Sequence, residues 1–144
     1  MPTVRRDKPL ILRAVSRMAP GGVQRGLLAT LARADRRRFD YAVLCTKKEG
    51  KWAGHVRVLG IPLVCQKTLP PWNPYQIARL ARVIRRIGPD LVHIHMAPMV
   101  IPVASACLLA GVGRFVVQWH NNYTRFWTVQ QNALLLGWER WLTR

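Results

Sequence analysis

Apolar positions along this chain follow two alternating rhythms. Short runs rich in β-branched residues predict strands at Leu10–Val15, Phe39–Thr46, Ile61–Cys65, Leu91–His95 and Phe115–His120. Between them the spacing lengthens to that of a helix. Val23, Leu27, Leu28, Leu31 and Ala34 form one such stripe, and Ile77, Leu80, Ala81, Ile84 and Ile87 another. Ala53 to Leu59 and Pro102 to Ala110 predict two shorter helices, and Thr128-Val129-Gln130-Gln131 is a capping-box pattern opening a last one to about Thr143. The punctuation agrees with these boundaries. Asn73 is an N-cap, Pro74 suits the first helical position, and Gln76 is placed to reach back as in a capping box. Gly88 and Pro89 then stop that helix.

Strand and helix therefore alternate throughout. The pattern predicts an α/β fold with a doubly wound, mainly parallel five-stranded sheet of the Rossmann-like kind, order 3-2-1-4-5, and helices on both faces. Its switch point lies between the first and fourth strands, where a ligand crevice forms at the C-terminal edge. Gly21-Gly22 and His95, distant in sequence, are expected to face that crevice. Arg13 is awkward inside a covered strand.

Composition narrows the picture. A chain of 144 residues, half of them hydrophobic, is enough for one core and is not a disordered segment. Lys and Arg number 23 against 6 Asp and Glu, a formal net of +17, so the surface attracts phosphates of nucleic acid, anionic lipid or a nucleotide-linked substrate. Cys45, Cys65 and Cys107 are odd in number and each lies in an apolar run, which fits buried thiols in a reducing compartment, not a disulfide framework. Arg13, Arg17 and Pro20 interrupt any secretory segment. The uncharged window Met96 to Gly113 is broken by Pro98, Pro102, Gly111 and Gly113, which favours a core helix over a membrane span.

The candidate chemistry lies at strand ends. Gly21-Gly22 opens a helix directly after a strand, so bare backbone N–H groups and the helix dipole favour an anion. The spacing is not G-x-G-x-x-G, no acid ends the second strand at Cys45-Thr46-Lys47-Lys48, and no Walker lysine follows the glycines. NAD sites and phosphate-loop nucleotidases are thereby disfavoured. His95 and His120 end neighbouring strands in the predicted order. His93 sits one step deeper, as a hydrogen-bonded core residue. No acidic partner completes a metal site, and neutral imidazoles that orient hydroxyls suit the pattern better. Asp90 is a cap or turn acid. Glu49 and Glu139 are isolated, which argues against a paired-carboxylate hydrolase. Leu134, Trp138, Trp141 and Leu142 share one helical stripe, packed on a core or lying at a membrane interface beside Arg140 and Arg144.

Three features resemble the N-terminal domain of family 4 glycosyltransferases of the GT-B fold. They are Gly21-Gly22-Val23-Gln24-Arg25, Pro89-Asp90-Leu91-Val92-His93-Ile94-His95, and Gln118-Trp119-His120-Asn121. The resemblance implies retaining transfer of a sugar from a nucleotide-sugar donor to a polysaccharide- or lipid-linked acceptor, with no cofactor and no metal. It places Gly21 and Gly22 at the donor diphosphate, His120 beside the transferred sugar as the catalytic group, and His95, Asn121 and Gln24 along the acceptor cleft. Gln24 stands where that family commonly has Glu.

The resemblance also divides the chain into residues 1–128, the acceptor-side domain, and 129–144, a helix leading toward a second domain. That second, nucleotide-holding domain has no counterpart here, so the chain alone is expected to lack transferase activity and to need a further domain or subunit. The expected location is cytoplasmic, with peripheral contact to the inner membrane face. The alternative from another class is a non-catalytic basic module on anionic membrane or nucleic acid. Nucleic acid is disfavoured, since no recognition motif and no aromatic-basic interleaving on strands is present. A salt titration of binding to DNA and to anionic vesicles discriminates, because phosphate-driven binding falls steeply with salt.

Overall fold

The computed structural model describes residues 7–69, 73–96 and 99–120. Nine elements alternate through them: β1 (Leu10–Val15), α1 (Gly22–Ala32), β2 (Asp40–Cys45), α2 (Ala53–Val58), β3 (Leu63–Cys65), α3 (Pro74–Ile87), β4 (Leu91–His95), α4 (Val100–Ala110) and β5 (Phe115–Gln118). All strand pairs are parallel, and the sheet order is β3-β2-β1-β4-β5, as the alternation predicts.

Two cores form because side chains of a strand alternate between faces. Leu10, Leu12, Ala14, Val92 and Ile94 pack on one face against Leu80 and Ile84 of α3 and Val103 and Cys107 of α4. Val15, Val43 and Cys45 pack on the other against Leu27 and Leu31 of α1 and Val56 of α2. Chain reversal between β1 and β4 thus leaves helices on opposite faces, and the loops diverge at their C-terminal ends.

The local signals of α3 hold in detail. Asn73 Oδ1 accepts from the Gln76 backbone N–H at 2.9 Å, Pro74 is the first helical residue, and Gly88 closes the helix at φ 62, a left-handed conformation that glycine adopts without cost. Gln76 departs from expectation. Its side chain does not reach back to the cap; Oε1 accepts from the Leu69 backbone N–H at 3.1 Å and ties down the loop ahead of the helix. Arg85 turns across to donate to the Leu109 carbonyl of α4. Asp90 is a turn acid, as expected. Its Oδ2 accepts from the Leu10 N–H at 2.7 Å while its own N–H donates to the Leu10 carbonyl at 2.9 Å, which clamps the start of β4 to β1.

Strand ends are shorter than the apolar runs. β3 begins after Pro62, which has no N–H for the ladder, and β5 stops at Gln118 because its partner β4 stops at His95 in the same register. Arg13 is accommodated at a groove. It sits half-buried on the α1 face and lines an open concavity of about 350 Å³ with Thr30, Arg33 and Tyr41. Burial lowers its pKa, and its Nε is buried without a hydrogen-bond partner. No described helix is long and apolar enough to cross a membrane. The predicted helix from Thr128, with its stripe of Leu134, Trp138, Trp141 and Leu142, lies outside the described residues.

Candidate functional site

Parallel pairing of β1, β4 and β5 brings their C-terminal ends to one edge. The loop carrying Gly21-Gly22 leaves β1 there, His95 is the last residue of β4, and His120 lies just past β5. The two glycines and the two imidazoles therefore share an edge.

Backbone hydrogen bonds build the glycine loop. Met18 N–H donates to the Glu49 carbonyl at 2.7 Å, and Trp52 N–H donates to the Met18 carbonyl at 2.8 Å. The loop after β1 is thus laced to the loop after β2. Gly50 makes this possible at φ 86; a Cβ there would stand 2.2 Å from the Met18 carbonyl oxygen. Sequence reasoning missed this residue, whose requirement comes from a partner more than thirty positions away.

α1 opens at Gly22 with Gly21 as its N-cap, no side-chain cap and no acid in the first turn. Gly21 is extended, at φ 173, and a Cβ on it would come 2.7 Å from Gln24 Oε1. Gln24 is buried, and its Nε2 donates to the Arg17 carbonyl at 3.1 Å, so its amide is committed to holding the loop. A Cβ on Gly22, by contrast, would meet nothing within 4 Å. The helix start is accordingly bare, positive in dipole and open to an anion.

The histidines form a column. His93 and His95 project to the same face and stack at 4.2 Å between ring centroids with a 16° interplanar angle; His95 and His120 stack at 5.4 Å and 20°. His95 is 2 % exposed, and its Nδ1 lies 3.1 Å from His120 Nε2. Burial pushes the His95 pKa down to about 3, helped by the neighbouring His93, Arg13 and His120. Burial also takes His93 down to about 4, helped by Arg13 and His120, against a side-chain hydrogen bond to Gln118. Both inner rings are neutral near pH 7. Immediately after the column the chain turns sharply, with Met96 at φ 84, a conformation costing a non-glycine residue about 1–2 kcal/mol and typical of strained functional edges. Nothing in the sequence marked that turn.

Asn121 lies outside the described residues. Among the described residues no group of three His, Cys, Asp or Glu side chains could hold a metal ion. Cys45 and Cys107 are buried as expected, which pushes each thiol up to about 12, whereas Cys65, at the end of the edge strand β3, is exposed and not the buried thiol its apolar run predicts.

Comparison with known proteins adds three findings. The family model described as Glycosyltransferase Family 4 matches residues 20–144. A glycosyltransferase of Rickettsia africae ESF-5 superposes with a TM-score of 0.65 at 18 % identity, over 92 % of this chain and 35 % of its own. Anabaena HepE in complex with UDP and glucose superposes at 0.64 and 18 % identity, over 88 % of this chain and 34 % of its own. The chain spans about a third of the length of these structures, and at this identity they show a shared fold. No curated protein matches the chain by sequence.

Proposed function

Because the chain belongs to glycosyltransferase family 4, we propose that it forms the acceptor-side lobe of an enzyme that moves a sugar, with retention, from a nucleotide-sugar to a polysaccharide- or lipid-linked acceptor. The observation that carries this reading is the meeting, at one sheet edge, of a bare helix start with the paired His95 and His120 imidazoles. HepE, which shares the fold, is described with UDP and glucose bound, in keeping with a nucleotide-sugar donor.

Gly21 and Gly22 are the backbone donors for the departing diphosphate, whose growing charge the α1 dipole stabilises. His120 is the group beside the transferred sugar, and the cleft between β1 and β4 positions the acceptor hydroxyl at the sugar carbon. The reaction needs a second, nucleotide-binding lobe, on the same polypeptide or another. The 144 residues alone are expected to give no turnover.

Gly22→Ala tests the donor role. The open space at Gly22 means the fold tolerates the methyl, with unchanged or slightly raised stability. Transfer from a nucleotide-sugar, measured with the nucleotide-binding lobe supplied, is expected to fall about tenfold or more in kcat/KM, since a Cβ would hold the diphosphate off the backbone. Full transfer by the variant would remove the diphosphate from this loop.

A further inference from the structure

The imidazole column has a consequence for which nitrogen of His120 is available. A neutral imidazole carries one N–H and one lone pair. Nε2 of His95 is buried with no hydrogen-bond partner, whereas its Nδ1 lies 3.1 Å from His120 Nε2. An orphaned buried N–H is costlier and rarer than an orphaned acceptor, so the His95 proton belongs on Nδ1, where it has somewhere to go. That N–H donates only if His120 Nε2 offers a lone pair. Neutral His120 must then carry its own proton on Nδ1, the reverse of the tautomer that histidine favours in water.

We propose that His95 is a positioning residue for His120: it fixes the outer ring's orientation and holds it as the Nδ1–H tautomer, so that His120 meets a ligand as a hydrogen-bond donor. His93, stacked beneath at 4.2 Å, keeps the His95 ring from tipping out of that line. Among the described residues, the charged and titratable groups acting on His95 are His93, Arg13 and His120. A donor at Nδ1 recognises an oxygen acceptor, such as a sugar hydroxyl or phosphate oxygen, and its proton-bearing nitrogen is unfit to act as a general base. What His120 touches rests on the sugar-transfer reading; the hydrogen bond and the tautomer do not.

The test is a long-range proton–nitrogen correlation spectrum of the ¹⁵N-histidine-labelled 144-residue chain at neutral pH, with the His120 signals assigned by their loss in His120→Gln. Wild-type His120 is expected to show a protonated Nδ1 and an unprotonated Nε2. In His95→Leu the pattern shifts toward protonated Nε2, and in His95→Asn, whose carboxamide N–H takes the place of Nδ1–H, it returns. A wild-type His120 with protonated Nε2, or one averaging like free histidine, overturns the proposal without any His95 variant having to fold. So does a folded His95→Leu whose His120 keeps the wild-type pattern. Correct tautomers without sugar transfer by the complete enzyme count against the transferase reading alone.

Discussion

Gly50 sits at φ 86 with its backbone against the Met18 carbonyl, and any Cβ there would overlap that oxygen at 2.2 Å. Gly50→Ala must therefore both strain its own backbone and push the two loops apart. It is expected to cost about 2–3 kcal/mol in urea unfolding, more than the roughly 1 kcal/mol of an ordinary glycine replacement at positive φ, because the Met18 hydrogen bonds are lost with it. A midpoint unchanged from wild type would show that the loops do not depend on each other. The residue scale is also where sequence reasoning was least complete. Gly21-Gly22, His95 and His120 carry type and spacing that point to an edge, but the strain at Met96 and the need for glycine at 50 arise from contacts that no local pattern encodes.

α3 and β4 were the most legible elements because their determinants are local. Asn73, Pro74 and Gly88 satisfy helix ends from within a few positions, and Leu91, Val92 and Ile94 sit on a strand paired on both sides. Asn73→Ala removes the acceptor for the Gln76 N–H, and a thermal or urea melt should register a loss of about 1 kcal/mol. The Gln76 side chain would remain bound to Leu69, so the loss should not grow to that of a double defect. Legibility fades at the edges of the sheet. β3 and β5 each have a single neighbour, so their lengths are set by where that neighbour ends and not by their own apolar runs.

Taken whole, the molecule has two neutral histidines built into its folded state. Unfolded, these rings bind a proton near pH 6.5; folded, His93 does so only near 4 and His95 only near 3. Between those values the unfolded chain holds more protons, so folding stability falls as pH falls, by up to about 1.4 kcal/mol per pH unit for each ring. Denaturant midpoints should hold steady above pH 7, then drop from pH 6.5 to 4.5, and the drop should flatten in His93→Gln/His95→Asn. A flat wild-type profile across that range would mean the rings are not held neutral. The topology from β1 to β5 was readable from alternation alone, since parallel strands joined by helices admit few windings.

The lacing of the first two loops through Met18 and Gly50 spreads the control of the glycine loop's shape over two stretches of gene. Tolerated insertions in either stretch should thus arrive with compensating changes in the other, and substitutions between residues 47 and 52 should disturb the α1 start as readily as substitutions beside the glycines.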